Sequence, residues 1–141
     1  MQVENILQSK GRAVITVTAG STIAEAVNLL NSRKIGAVVV VDGKRVVGIL
    51  SERDIVRHLG DDWNTLAGRP VSDVMTKAVV SVSRFATVAD VMERMTEKRI
   101  RHMPIVESGE LVGIVSIGDV VKRKIEETEQ EATALKEYIA S

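Results

Sequence analysis

When the 141 residues of this chain are shifted by 65 positions, residues 13–57 align with residues 78–122 without a gap. The identical pairs include the residues that close the aligned block: Gly48 with Gly113, Ser51 with Ser116, and Asp54 with Asp119. Because fixed-period similarity is the signature of a repeated supersecondary unit, the chain is expected to fold as two copies of one pattern.

Each copy contains the same order of predicted elements. In the first, a short strand is followed by a helix that Thr22 caps, with an acidic residue in capping-box position. The run Ala37–Val41 predicts a strand covered on both faces, and Asp42-Gly43 predicts a type I′ turn into a returning strand. Ser51 then opens a second helix. The unit is therefore β-α-β-β-α.

The second copy and the connection are predicted in the same way. Val79–Val82 predicts the short strand that opens the second unit. The connecting stretch, residues 58–71, contains glycines and Pro70 and is expected to be a loop, with Trp63 covering an edge of the core.

A unit of about 50 residues buries too little apolar surface to be stable alone. We therefore expect a mixed α/β (α+β) fold. Its two units pack sheet to sheet about a pseudo-twofold axis and share one core. The predicted domains are residues 8–66 and 74–130, and a C-terminal helix over 120–140 continues from the second domain.

The motifs at the end of each repeat resemble those of a tandem CBS-domain pair, or Bateman module. Gly48-Ile-Leu-Ser51-Glu-Arg-Asp54 and Gly113-Ile-Val-Ser116-Ile-Gly-Asp119 match the family's Gly-apolar-x-Ser/Thr-x-x-Asp signature. Arg99-Ile-Arg101-His102-Met-Pro104 resembles the family's entry into a strand. The resemblance implies a regulatory module without chemistry of its own. It also implies an adenosine ligand: AMP, ADP, ATP, S-adenosylmethionine or NAD.

The signature also has a physical interpretation. Ser51 and Ser116 precede predicted helices, where free backbone N–H groups and the helix dipole favour an anion. Asp54 and Asp119, one helical turn later, are placed to accept hydrogen bonds from ribose hydroxyls, as acidic residues do in dinucleotide folds. The alternative is that each Ser only caps its helix and each Asp only occupies the first turn.

The resemblance implies two clefts, each built from both repeats. The cleft of the second repeat is expected to contain Ile15, Thr16, Ile35, Gly36, Arg101, His102, Ser116 and Asp119. The cleft of the first repeat is expected to contain Val80, Ile100, Arg101, Ala37, Ser51, Arg53 and Asp54. Because Arg101 and His102 supply donors for a phosphate, we expect AMP in the Asp119 cleft. NAD or ATP are the alternatives, with NAD in the Asp54 cleft beside Arg53.

The C-terminal segment has an apolar stripe from Ile125 to Ile139 with no helix breaker. One interpretation is that this stripe folds back on its own module. We favour the other, a homodimer contact.

Composition narrows the function classes. Nineteen Lys plus Arg balance nineteen Asp plus Glu, and there are only three aromatic residues, so nucleic-acid binding is not expected. The chain has no Cys and no apolar run of membrane-spanning length, and a cytoplasmic protein with no metal site is expected. No enzyme motif is present, so we expect a non-catalytic sensor that regulates a partner protein in trans. The alternative function is a structural or dimerisation module with empty clefts.

Overall fold

The computed structural model describes residues 1–60 and 62–140. Six α-helices and five strands follow one another along these residues, with a 3₁₀ turn at Val71–Asp73 between α4 and α5. In chain order they are α1 (Val3–Lys10), β1 (Thr16–Val17), α2 (Ile23–Arg33), β2 (Ala37–Asp42), β3 (Arg45–Ser51), α3 (Glu52–His58), α4 (Trp63–Ala67), α5 (Val88–Lys98), β4 (His102–Glu107), β5 (Glu110–Ser116) and α6 (Ile117–Ala140).

The 65-residue repeat is preserved in the backbone. Helix α5 begins and ends 65 residues after α2, and both helices have a threonine N-cap. Both also end on a residue in the left-handed region, Lys34 with φ 53° and Arg99 with φ 55°. The β2–β3 and β4–β5 hairpins even share the position of an irregularity, after Val40 in one and after Ile105 in the other. The two units are therefore structural copies.

The hairpins of the two units meet edge to edge at one residue pair, Arg45 of β3 opposite Glu110 of β5. These two residues are themselves 65 positions apart, so the pair lies where an axis exchanging the two units must pass. The strands form one five-stranded sheet in the order β1-β2-β3-β5-β4. The mixed α/β fold of two related units with a C-terminal helix is confirmed.

The buried apolar residues form two clusters instead of the single shared core that we expected. One contains residues of α2, β2 and the segment 66–74, and the other contains residues of α5, β4 and β5. Helix α1 belongs to the second cluster through Val3, Ile6 and Leu7, although it precedes the first repeat. The segment that precedes each repeat therefore packs on the other repeat.

Two glycines of the repeat make this exchange possible. A Cβ atom at Gly113 would lie 2.7 Å from Cδ2 of Leu7, and one at Gly48 would lie 2.5 Å from Sδ of Met75. Real Cβ atoms do not approach side chains so closely. The repeated glycine therefore gives the preceding segment of the opposite repeat access to the sheet.

Some local predictions were wrong. Asp42 pairs with Arg45, so the turn lies one residue later, at Gly43-Lys44, where Gly43 has φ 63°. The connection is not all loop: it contains α4, and Leu66 rather than the 40% exposed Trp63 enters the core, because Leu66 lies on the inner face of α4.

Two further predictions differ from the structure. The segment Val79–Val82 makes a single bridge, from Val82 to Ile105, instead of a strand. Helix α1 was not predicted.

Helix α6 continues well past the second core. Val120 is fully buried, but every residue from 128 to 140 is exposed. Among residues 1–60 and 62–140, no helix is both long enough and apolar enough to span a membrane.

Candidate functional site

The Ser and Asp of each signature cap a helix reciprocally. Ser51 is the N-cap of α3: its backbone N–H donates to Oδ2 of Asp54 at 2.9 Å, and its Oγ accepts from the Asp54 N–H at 3.4 Å. Ser116 and Asp119 repeat this arrangement at the start of α6, with distances of 2.9 and 3.1 Å. Ser and Asp therefore cap a helix at both positions. An ionised carboxylate has about four acceptor sites, so capping does not exhaust either aspartate.

Each aspartate also contacts the segment that precedes the opposite repeat. Thr76 Oγ1 donates to Oδ1 of Asp54 at 3.2 Å. Lys10 Nζ, at the end of α1, lies 2.5 Å from Oδ2 of Asp119. The segments that precede the repeats therefore contact both aspartates, but the donor to Asp54 is a neutral hydroxyl and the donor to Asp119 is a cation.

The first cleft is a cavity of ≈ 410 Å³ over the N-terminus of α3. Its base contains Ser51, Asp54 and Thr76, and its apolar wall contains Val79, Val80 and Ile100. Five cationic side chains line it, namely Arg53, Arg57, Lys98, Arg99 and Arg101, against the carboxylates of Glu52 and Asp54. Arg53 is oriented by a 2.7 Å hydrogen bond to the carbonyl of Arg99. The cleft is therefore cationic.

The second cleft is a cavity of ≈ 370 Å³ with a different character. Its walls are mainly apolar, with Val14, Ile15, Ile35, Ala37 and Ile114. Its charged lining residues are Lys10 and Lys34, and Ser116 lies at its edge. Asp119 lines a smaller neighbouring cavity of ≈ 190 Å³, and Lys10 lines both. Lys10 thus stands between the apolar cleft and the aspartate.

His102 and Gly36 line both clefts. A Cβ at residue 36 would lie 2.8 Å from Cε1 of His102, so the imidazole packs directly on this glycine. Burial lowers the pKa of His102 below its usual value, and nearby Lys10 and Arg101 lower it further, against the opposing effect of Glu52 and Asp119. The imidazole between the clefts is therefore neutral at neutral pH.

The pKa of Asp119 is also lowered. Burial of the carboxyl acts in the opposite direction, but the hydrogen bonds from Lys10 and from the Ser116 backbone outweigh it. Asp119 is ionised at neutral pH and paired with Lys10.

Most of the predicted site residues come together as expected. Six of them line the first cleft: Val80, Ile100, Arg101, Ser51, Arg53 and Asp54. Five line the second: Ile15, Ile35, Gly36, His102 and Ser116.

Four placements differ. Ala37 lines the second cleft instead of the first, Arg101 lines only the first, and Thr16 and Asp119 lie outside the lining of the second. Arg101 lies in the bend before β4 and lines the first cleft, whereas His102, the first residue of β4, lines both clefts.

Neither Lys10 nor Thr76 was predicted as a site residue. Both lie just ahead of the aligned blocks, and nothing local indicates that these segments pack on the opposite repeat. Among the described residues, no group of three or more His, Asp or Glu side chains could hold a metal ion.

Comparison with known proteins places this geometry in a family. The sequence profile of the CBS domain matches residues 5–61 and 71–126. The mitochondrial CBS domain-containing protein CBSX3 of Arabidopsis thaliana is 31% identical, over 97% of this chain and 71% of that protein. The structure of the CBS-domain containing protein ATU1752 from Agrobacterium tumefaciens superposes with a TM-score of 0.83 at 44% identity, covering 88% of this chain and 99% of that one.

A second similar structure contains ligands. The CBS domain pair of protein MJ0100, in complex with 5′-methylthioadenosine and S-adenosyl-L-methionine, superposes with a TM-score of 0.79 at 25% identity, covering 90% of this chain and 98% of that one. With two matched domains over most of its length and these relatives, the chain belongs to the CBS domain family, as a tandem CBS pair.

Proposed function

We propose that this protein is a non-catalytic regulatory module that binds adenosine nucleotides between its repeats and acts on a partner protein. The observation that carries the proposal is the first cleft, where an ionisable aspartate at a helix N-terminus lies beside an apolar wall and five cationic side chains. A volume of ≈ 410 Å³ falls within the range of about 300–1,000 Å³ typical of small-molecule sites.

The charges favour a phosphorylated ligand in the first cleft. Arginine offers planar, permanently charged donors that match phosphate oxygens, and Arg53 and Arg101 come from different repeats. From the sequence, the phosphate of AMP is expected in the Asp119 cleft, and Arg101 is expected in both clefts. Its position beside Asp54 moves the proposed phosphate site to the first cleft, where AMP, ATP or the pyrophosphate of NAD is the proposed ligand.

The remaining parts fit a nucleoside. Oδ1 of Asp54 already accepts from a hydroxyl, that of Thr76, so it faces donors of the type a ribose presents. Val79, Val80 and Ile100 supply apolar lining suited to an adenine ring. The hydrogen bond to Thr76 would be shared with or replaced by one from the ribose.

The second cleft is proposed to take a less charged adenosine ligand. Its walls are mainly apolar, and of its two cations, Lys10 and Lys34, Lys10 is already paired with Asp119. A ligand whose ribose reached Asp119 would compete with Lys10 for the carboxylate. The methylthioadenosine and S-adenosylmethionine bound by MJ0100 carry no phosphate, so a CBS pair can bind adenosine ligands of this less charged kind.

Regulation follows from the shared walls. The first cleft takes Asp54 from one repeat and Arg101 from the other, so a bound nucleotide changes how strongly the repeats are held together. A ligand shifts a conformational equilibrium by its difference in affinity for the two states. We propose that a partner protein senses this change in trans.

Calorimetric titration of AMP, ATP and NAD into the full chain tests the proposal. We expect Arg101→Gln to weaken binding of the phosphorylated ligand by about ten- to hundredfold, because it loses a charged hydrogen bond worth roughly 1.5–3 kcal/mol. Arg33→Gln, a matched change on an exposed helix end outside both clefts, should bind as the parent does. If the parent gives no heat with any of the three ligands, the alternative of a structural dimerisation module is favoured.

A further inference from the structure

The last part of α6 is a long helix with an exposed apolar face. Its first turns are anchored on α1, where Arg123 Nη2 donates to the carbonyl of Asn5 at 2.9 Å. Beyond them, every residue from 128 to 140 is exposed. Ile125, Leu135 and Ile139 are 53%, 59% and 74% exposed. The alternative in which this stripe folds back on its own module is therefore not realised.

The face repeats with a period of seven. Residues 121, 125, 128, 132, 135 and 139 are separated alternately by four and three positions, and they are Val121, Ile125, Thr128, Ala132, Leu135 and Ile139. This spacing is that of the a and d positions of a coiled coil, with Ile125 and Ile139 at a and Leu135 at d. Isoleucine at a with leucine at d favours two parallel strands.

The flanking charges select one orientation. Lys124 and Glu131 occupy g positions, and Glu129 and Lys136 occupy e positions. In a parallel, in-register pair each g residue faces the e residue five positions later on the other helix. Lys124 then faces Glu129, and Glu131 faces Lys136, so both pairs are attractive.

The antiparallel pair that matches the same apolar face is disfavoured by its charges. With Val121 opposite Ile139, Glu131 faces Glu131, and Lys122 faces Lys136. Like charges facing each other across a helix pair are destabilising. The charge pattern therefore favours the parallel, in-register pair over the antiparallel pair that matches the whole apolar face.

We propose that residues 121–139 of α6 form a parallel, in-register two-stranded coiled coil with a second copy of this chain. The inference goes beyond the proposed nucleotide function and does not depend on it, because no residue of the two clefts takes part. The small residues Thr128 and Ala132 at the middle of the seam bury little apolar area, so the dimer is expected to be in reversible exchange with monomer.

Cysteine crosslinking tests the seam directly, because the chain has no Cys of its own. In Leu135→Cys the two introduced thiols lie side by side across the seam, and mild oxidation should give a covalent dimer on a non-reducing gel. Gln130→Cys is the matched control, because position 130 faces away from the partner. Equal crosslinking of the two variants, or none in Leu135→Cys, overturns the proposal.

Charge reversal tests the orientation and register. In the full chain Glu131→Lys and Lys136→Glu should each weaken dimerisation by about tenfold, because each puts like charges opposite one another. Mixing the two variants should restore a heterodimer of parental affinity, since both cross-helix pairs are then attractive. The proposal is overturned if Glu131→Lys dimerises as the parent does, or if the mixture is as weak as either variant.

Discussion

The packing of α1 on the second repeat can be tested through the contact between Leu7 and Gly113. Leu7 is 1% exposed, and its Cδ2 lies 2.7 Å from the point where a Cβ at residue 113 would stand. Leu7→Ala empties that space, and Gly113→Ala fills it. The two substitutions therefore act on one volume from opposite sides, which makes a double-mutant cycle informative.

The expected magnitudes follow from burial and space. Replacing a fully buried leucine by alanine costs roughly 2–5 kcal/mol of unfolding free energy. Adding a methyl group to a packed core costs about 1–3 kcal/mol. In the double variant the new methyl group lies where the leucine atoms were, so its overpacking cost disappears. The unfolding free energy of the double variant should therefore be about 1–3 kcal/mol higher than the value obtained by adding the two single effects. An interaction of this size is typical of residues in contact.

Urea unfolding of the four proteins measures this interaction. Gly20→Ala serves as the control, because a Cβ at residue 20 meets nothing within 4 Å, and it should change stability by less than ~1 kcal/mol. If the two single changes are additive, Leu7 does not pack on Gly113. The account of exchanged segments would then be refuted.

Two further predictions concern titrating groups at the second cleft. Lys10→Ala should raise the pKa of Asp119, because the hydrogen bond that opposes the effect of burial is lost. NMR titration of the carboxyl group measures this pKa. Lys34→Ala is the control: Lys34 lines the second cleft with Lys10, and its loss should leave the pKa of Asp119 unchanged. The folded-state pKa of His102 is depressed, so the unfolded chain binds more protons on acidification. The stability associated with His102 is present above pH ~6.5 and is lost as the pH falls through the folded pKa. Chemical unfolding of His102→Gln should show a smaller loss of stability in this range than the parent, and an equal loss would exclude His102 as its source.

The repeat was the part of the fold that sequence could predict. The N-caps Thr22 and Thr87, where α2 and α5 begin, depend on residues three or four positions apart, as does the pairing of Ser and Asp at the start of each following helix. The 65-residue shift transfers each inference to the other copy. The Gly43-Lys44 turn was missed because Asp42 could continue the strand as easily as begin the turn. Local patterns therefore determine the elements but not every boundary.

The exchange between repeats could not be predicted in the same way. Val3, Ile6 and Leu7 have the spacing of a helical face, so α1 could have been found. Nothing in that spacing says which repeat the face covers, since either core would bury it. The position of Arg101 had the same difficulty. It depends on how the bend before β4 directs the Arg101 side chain relative to two clefts, and no local pattern in the sequence sets that direction.

Calorimetric titration of AMP into Asp54→Asn and Asp119→Asn tests whether the phosphorylated nucleotide binds in the first cleft. Asparagine keeps an oxygen acceptor near each helix cap but removes the charge. We expect Asp54→Asn to weaken AMP binding by roughly tenfold or more, because a charged hydrogen bond is lost. Asp119→Asn should bind AMP as the parent does. AMP binding that is lost in Asp119→Asn and unchanged in Asp54→Asn would contradict the assignment of the phosphorylated nucleotide to the first cleft.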